Sequence, residues 1–240
     1  DSIIEEIKQL YELGIKDIFF IDDLFTLDKN LVFDFCDKLI SEKIKVFFKI
    51  SARVDNVDRK MLKSLKEVGC YRIHYGIESG TQRVLDTLQK GITLEQIKDA
   101  FKWTKEAGID TFAYFMIGCP GETRQDILNT INFALNLKTI DYAHFSICTP
   151  YPDTKLYKIA QDDGLIEKDY WHGFALHPDE NFRTRFWTKE LKSDELVSLQ
   201  NYANKRFYFR LSFLIRELYK TRSWSSGFRK AKTALSILYP

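Results

Sequence analysis

The 240-residue chain has no apolar run approaching the roughly 20 residues that a membrane-spanning helix needs. It shows no secretory signal and opens directly on a helical pattern. It has only four cysteines, Cys36, Cys70, Cys119 and Cys148, and none lies within three residues of another. That spacing excludes a local metal knuckle and any C-x-x-C redox pair. Each cysteine sits in or beside an apolar element, which reads as a buried free thiol. With no disulfide framework in sight, the pattern suits a reducing cytoplasm. A strong net charge is also missing: 36 Lys and Arg stand against 34 Asp and Glu, giving +2. The distribution is uneven, however. From Arg183 to Pro240 there are 13 basic and 4 acidic residues, a balance of +9, so the preceding part carries −7.

What is present is enough for a core: 45% apolar and 15% aromatic residues, in a length that suits one α/β domain plus an appendage. Five strand-like runs each end in glycine and polar residues. The tips read Ile21-Asp22-Asp23, Ile50-Ser51-Ala52-Arg53, Tyr75-Gly76-Ile77-Glu78-Ser79-Gly80, Met116-Ile117-Gly118-Cys119-Pro120-Gly121-Glu122-Thr123 and Ile147-Cys148-Thr149-Pro150-Tyr151-Pro152. Strands are expected over 16–21, 46–52, 71–77, 111–117 and 142–148. The first is nearly all apolar, as in a strand buried on both sides. Helices are expected over 2–13, 28–42, 58–68, 93–107, 123–137 and 154–163, with a loop at 81–91. The second helix would bury Leu31, Val32, Phe35, Leu39 and Ile40. Thr123 and Asp126 resemble a capping box, and Gly14, Gly69, Gly108 and Gly164 act as stops.

Strand starts recur at intervals of about 26 to 40 residues, the size of one βα unit. The expected fold is α/β, an incomplete parallel (β/α) barrel of TIM-like type over residues 1–165. A basic, aromatic-rich, mainly helical extension follows over 166–240. An open doubly wound sheet is the alternative. The opening helix has no strand before it, which suggests that a first βα unit precedes Asp1.

Alternation along the strands sorts their faces. Lys49, Ser51 and Arg53 share one face of the second run; Arg72, His74, Gly76 and Glu78 share one face of the third. Tyr114, Met116 and Gly118 do so in the fourth, and His144 and Ser146 in the fifth. The apolar set is expected to face the helices and the polar set the lumen. Two Arg, one Lys, two His and a Glu do not make a dry core, since an unpaired buried charge costs several kcal/mol. They suit a polar ligand; a self-satisfied salt-bridge network is the alternative reading.

Six segments in order carry a resemblance: Phe20-Ile21-Asp22-Asp23-x-Phe25-Thr26, Ala52-Arg53-Val54-Asp55, Tyr75-Gly76-Ile77-Glu78-Ser79-Gly80, Lys90-Gly91-Ile92-Thr93, Phe115-Met116-Ile117-Gly118-x-Pro120-Gly121-Glu122-Thr123 and Pro150-Tyr151-Pro152-x-Thr154. Over Asp1 to Lys168 the chain resembles the radical S-adenosylmethionine (radical SAM) superfamily. Within it, the chain resembles the group with an N-terminal cobalamin-binding domain typified by anaerobic magnesium-protoporphyrin monomethyl ester cyclase. The five runs would be strands 2 to 6 of that barrel. The superfamily's C-x-x-x-C-x-x-C motif, which holds a 4Fe–4S cluster, does not occur in this sequence and is expected upstream. No metal ligands are therefore assigned within it.

The resemblance implies reductive cleavage of S-adenosylmethionine (SAM) to a 5′-deoxyadenosyl radical. Methylation, cyclisation or rearrangement of a small or lipid-like substrate would follow. The cofactors implied are SAM, the 4Fe–4S cluster and cobalamin in a preceding domain, with an electron donor such as flavodoxin or ferredoxin as partner. This part alone would be inactive. Asp22 or Asp23 would contact the SAM amine, a charge-assisted bond, and alternation lets only one of them point inward. Arg53 with Ser51 would take the SAM carboxylate, and a structural salt bridge is the other reading of Arg53. Glu78 would contact the ribose. Gly118 and Gly121 would let the backbone approach adenine closely. Glu122 and Thr123 would stabilise the following helix start. No catalytic residue is assigned. Arg72, His74, Tyr114, His144 and Tyr151 are candidates for substrate contact or proton transfer, histidine being the usual acid or base near neutral pH. The alternatives are a radical SAM RNA methylthiotransferase and a non-catalytic barrel binding a nucleotide or protein.

After about residue 165 the character changes. Trp171, Phe174, Phe182, Phe186 and Trp187 precede a helical stretch from Ser193 to about Lys220. There Tyr202, Phe207, Phe209, Phe213 and Tyr219 interleave with Lys205, Arg206, Arg210, Arg216 and Lys220. The preferred reading is a helical lid with solvated cations. A membrane-surface helix is next and a nucleic-acid surface last.

Overall fold

The computed structural model describes residues 2–22, 24–166 and 169–220. Strand and helix alternate. The order is α1 (Ser2–Glu12), β1 (Asp17–Phe19), α2 (Lys29–Ser41), β2 (Phe47–Ala52), α3 (Arg59–Glu67), β3 (Cys70–Glu78), α4 (Gln82–Thr87), α5 (Leu94–Glu106), β4 (Asp110–Ile117), α6 (Arg124–Asn136), β5 (Tyr142–Ile147) and α7 (Lys155–Asp162). Three further helices follow: α8 (Tyr170–Leu176), α9 (Ser193–Tyr208) and α10 (Leu211–Lys220). The five strands form one sheet in the order β1-β2-β3-β4-β5, with parallel pairing from β1 through β4. Chain-order neighbours joined by a helix are the (β/α) pattern expected from the spacing. No helix of the described residues is long and apolar enough to cross a membrane.

Helix starts follow local chemistry. The Asp28 carboxylate accepts from the amides of Asn30 and Leu31, and that of Asp58 from Met61. Thr93 and Gln96 make a reciprocal capping box. Thr123 and Asp126 do the same, with the Asp126 amide donating to Thr123 Oγ1 at 3.2 Å and the Thr123 amide to Asp126 Oδ2 at 2.9 Å. Gly69 shows why one stop must be glycine. Its φ is +107°, and a Cβ there would lie 2.0 Å from the Val46 carbonyl oxygen.

Several expectations need correction. β1 is three residues long, and Phe19 and Ile21 are 38% and 83% exposed. With the burial pattern exposed, half-buried, exposed, it is not buried on both faces. In α2, Leu31 and Ile40 face solvent, and the buried stripe is Val32, Phe35, Cys36 and Leu39. The loop after β3 contains the short helix α4. The helical stretch from Ser193 breaks at Phe209 and Arg210 into α9 and α10.

The chain divides into two compact units. One comprises residues 1–78, 90–115 and 133–144, the other 79–89, 116–132 and 145–240. In the first, Ile50, Ile73, Tyr75 and Ile77 are fully buried and face the helices. The Tyr75 ring lies 5.0 Å from Phe101 of α5, and its hydroxyl bonds Thr104 Oγ1 at 2.8 Å. In the second, Val84, Cys119, Cys148, Tyr157, Ala160 and Trp187 share a core. All four cysteines are buried, and none is in a disulfide.

Candidate active site

The tips of β2 and β3 carry a cluster of four charges within the first unit. Just beyond β2, Arg53 grips Asp55 with two bonds, Nε to Oδ1 at 2.9 Å and Nη2 to Oδ2 at 2.8 Å. Such a fork is the strong form of the Arg–carboxylate pair. It holds the Asp55 carboxyl below the usual carboxylate range and the Arg53 guanidinium above its own. Arg53 Nη2 also donates to the Lys90 carbonyl at 2.9 Å. That bond ties the segment ahead of α5 to the end of β2. Lys90 Nζ then reaches back to Glu78 Oε1 at 2.8 Å.

Glu78 ends β3 in an uncommon conformation. Its φ is +71°, and the register between β3 and β4 shifts between Gly76 and Glu78. A non-glycine residue in the left-handed region is held there by its surroundings and often marks a functional position. The kink brings the Glu78 carboxylate over Gly76. A Cβ on Gly76 would lie 2.9 Å from Glu78 Oε1 and 3.3 Å from Lys90 Nζ. Glu78 Oε2 makes no hydrogen bond among the described residues, and the side chain is 23% exposed. The arrangement offers one acceptor oxygen, already oriented, to a ligand with hydroxyl or ammonium donors. Ser51 is half-buried on β2, and Asp22 is exposed past β1. Asp23 lies outside the described residues.

Further down the same strand face the side chains are aromatic. The His74 ring stacks on Phe112 at 4.6 Å and 2°, with Phe19 at 5.0 Å. Its Nδ1 is 3.1 Å from the Tyr114 hydroxyl, while its buried Nε2 has no partner among the described residues. Burial, with help from Arg72 and Lys49, lowers the His74 pKa to about 4. The imidazole is therefore neutral at physiological pH, outside the range of a general acid that cycles near neutrality. Arg72 stacks over the Tyr142 ring at 4.1 Å and stands 3.6 Å from Asp110. Lys49 lies over Phe19 at 5.0 Å. His144 is exposed, edge-on to Tyr114 at 6.0 Å.

Alternation therefore sorted the polar residues, but the apolar ones do not all face the helices. Phe19 and Phe112 line the polar face instead. The charges there meet partners outside the polar set: Arg53 pairs with Asp55, Glu78 with Lys90 and Arg72 with Asp110, while Lys49 lies over Phe19. Asp55 and Lys90 lie within two of the resembling segments but have no role there from the sequence alone. The two-residue spacing of Arg53 and Asp55 was the available signal for one of them. Nothing in the sequence pattern announced the twelve-residue reach of Lys90 to Glu78.

In the second unit, Gly118 is buried at φ +73°, and a Cβ there would lie 2.6 Å from Leu196 Cδ2 of α9. Its positive φ and the close approach of Leu196 both favour glycine at this position. Gly121 is exposed at φ +70°, and its amide donates to Glu190 Oε1 at 2.7 Å. Glu122 is fully buried and accepts the Cys119 amide at 3.0 Å. Burial pushes its carboxyl up to about 7. It ties the Gly118–Glu122 turn together, as a structural rather than a ligand-binding residue would. Ser79 Oγ and the Gly80 amide both bond Thr130 Oγ1 at 3.0 Å, fixing the chain just after Glu78 onto α6. Tyr151 is 53% exposed, with its ring 5.6 Å from Trp171.

The residues present differ in how they fit the implied groups. The Glu78–Gly76 tip, with an unpartnered carboxylate oxygen, fits the polar part of a nucleoside-type cofactor. The cysteines do not fit an iron–sulfur cluster. They are buried in separate elements, and burial pushes the Cys36 and Cys70 thiols up to about 12. No His, Cys, Asp and Glu group suited to a metal occurs among the described residues.

Known proteins give this geometry its context. Residues 1–134 match the radical SAM superfamily. The chain is 37% identical over 221 residues to an uncharacterized methyltransferase of Pyrococcus horikoshii, covering 92% of this chain and 47% of that protein. It is 30% identical over 166 residues to the anaerobic magnesium-protoporphyrin IX monomethyl ester cyclase of Cereibacter sphaeroides, covering 67% of this chain and 27% of that one. Among solved structures, the radical S-adenosylmethionine methyltransferase TsrM from Kitasatospora setae, with cobalamin and a 4Fe–4S cluster bound, aligns with a TM-score of 0.61. That match has 21% identity over 67% of this chain and 33% of the other, and it speaks for the fold. The chain spans 47% and 27% of the two curated relatives' lengths. The superfamily match over more than half the chain, the methyltransferase likeness over nine tenths of it and the incomplete parallel (β/α) barrel agree: the chain belongs to the radical SAM superfamily.

Proposed function

We propose that this chain is the SAM-binding part of a radical SAM enzyme with methyltransferase- or cyclase-like chemistry on a small or lipid-like substrate. The cluster at the ends of β2 and β3 carries this reading. When bound, SAM supplies a sulfonium whose reductive cleavage initiates radical chemistry. The chain's own residues hold it. Glu78 presents Oε2 to the ribose hydroxyls, two donors that a carboxylate accepts well. Lys90 neutralises Oε1 and fixes the carboxylate plane, so the free oxygen is oriented before binding. Arg53 is committed to Asp55 and to the Lys90 carbonyl. Its role is to hold Lys90 in reach of Glu78, and contact with the SAM carboxylate would need one of these bonds exchanged. Asp22, exposed past β1, or Asp23 would meet the SAM amine. Below this layer the rings of His74, Phe112 and Tyr114 pack against one another on the strand face. The cluster and cobalamin would come from parts of the protein outside these 240 residues.

Calorimetric binding of SAM to the anaerobically reconstituted full-length protein tests the assignment. Glu78→Gln is expected to weaken binding about tenfold or more, the worth of one charge-assisted bond. Its unfolding midpoint should stay close to that of the parent. Parent-like SAM affinity in Glu78→Gln would remove Glu78 from the site.

A further inference from the structure

Helix α10 turns most of its large aliphatic residues to solvent. Leu211, Leu214, Ile215 and Leu218 are 70%, 38%, 44% and 74% exposed. Steps of three, four and seven place them in one stripe along the helix, and Tyr219 extends it at 87% exposure. The helix is nevertheless anchored from its other side. The Phe213 ring packs edge-on against Tyr208 at 5.0 Å and lies 6.5 Å from Phe207, which is fully buried on α9. The Arg216 guanidinium lies over Phe213 at 5.0 Å. Single exposed apolar residues are ordinary on a protein surface, whereas a continuous stripe marks a contact surface.

The charge around the stripe identifies the partner. From Lys205 to Tyr219 four basic residues, Lys205, Arg206, Arg210 and Arg216, stand against Glu217 alone. Next to the stripe, Arg210 lies over the Phe207 ring at 3.8 Å, and Arg206 is 5.9 Å from Tyr202. A second copy meeting this face would bring the same excess of positive charge against it, and like charges disfavour that pairing. A nucleic acid would want exposed ring faces on which bases stack, but the stripe is aliphatic apart from Tyr219. We propose that α10 docks on an anionic lipid bilayer, with Leu211, Leu214, Ile215 and Leu218 in the headgroup–acyl boundary and the surrounding Lys and Arg at lipid phosphates. The helix lies in the surface plane, since no described helix is long enough to cross. This inference stands apart from the SAM site and would survive its failure.

Co-sedimentation of the full chain with phosphatidylcholine vesicles, with and without phosphatidylglycerol, tests it. The protein is expected to pellet with the anionic vesicles and about tenfold less with the neutral ones, and high salt should release it. Combined Leu211→Gln, Leu214→Gln, Ile215→Gln and Leu218→Gln substitution should abolish pelleting. A Leu218→Cys variant carrying an environment-sensitive dye gives a readout independent of the quadruple variant's folding, because the native cysteines are buried. Its emission should shift to the blue on anionic vesicles only. Binding by the quadruple variant equal to that of the parent would overturn the proposal. So would an unshifted dye, or displacement of the protein from vesicles by single-stranded RNA.

Discussion

Glu78 and Gly76 are coupled by geometry. The left-handed turn at Glu78 folds its carboxylate back over a position where only hydrogen leaves room for it and for Lys90. Both crowded atoms are the far ends of flexible side chains, so Gly76→Ala should displace the ion pair without breaking the strand. The expected result is an unfolding midpoint within a few degrees of the parent, with SAM affinity reduced about tenfold. An unchanged affinity would show that the Glu78–Lys90 pair does not orient the ligand. Glu122 allows a pH prediction. Its carboxyl is pushed up to about 7 from an ordinary 4.5, so the folded state keeps a proton that the unfolded chain releases. Its stabilising contribution is complete below pH 4.5 and disappears as the pH rises to about 7, a loss of about 3 kcal/mol. Glu122→Gln cannot ionise there. Denaturant melts of the two proteins should be alike near pH 4.5 and diverge as the pH rises through this window, the parent losing stability that Glu122→Gln keeps; parallel pH profiles would contradict the assignment. The tip residues could be named from the sequence because polar residues and glycine interrupt apolar runs there. Their pairing could not. It depends on a positive φ at a glutamate and on a lysine folding back over twelve residues, and neither leaves a periodic trace.

At the scale of elements the sequence was more explicit. Helix starts at Asp28, Asp58, Thr93, Thr123 and Thr154, and stops at Gly14, Gly69, Gly108 and Gly164, are local events decided by one side chain or one backbone angle. That locality is why they could be read. α4 was missed because six residues are too few to show a helical period. The burial of β1 was misjudged because an apolar run does not say what covers a strand's faces. Two elements allow stability predictions. Thr123→Ala removes one arm of the α6 capping box and should cost about 1 kcal/mol by chemical denaturation; no loss would mean that Asp126 caps the helix alone. Gly69→Ala drives a Cβ into the Val46 carbonyl, backbone against backbone, at a φ that alanine resists. It should cost more than about 1 kcal/mol, and a neutral outcome would contradict the close approach of the α3–β3 turn to the start of β2.

For the whole molecule, the division of charge follows the proposed division of labour. The part up to residue 182 carries a balance of −7 and the strand tips; the part from Arg183 carries +9 and ends, among the described residues, on the exposed stripe of α10. Membership of the superfamily fixes the kind of chemistry to look for. The most direct test is anaerobic cluster reconstitution of the full-length protein, followed by an assay for 5′-deoxyadenosine with SAM and a strong reductant. Deoxyadenosine should form with the parent and fall about tenfold or more in Glu78→Gln, in step with its weaker binding. A loaded cluster that yields no deoxyadenosine from the parent protein would contradict the proposed function.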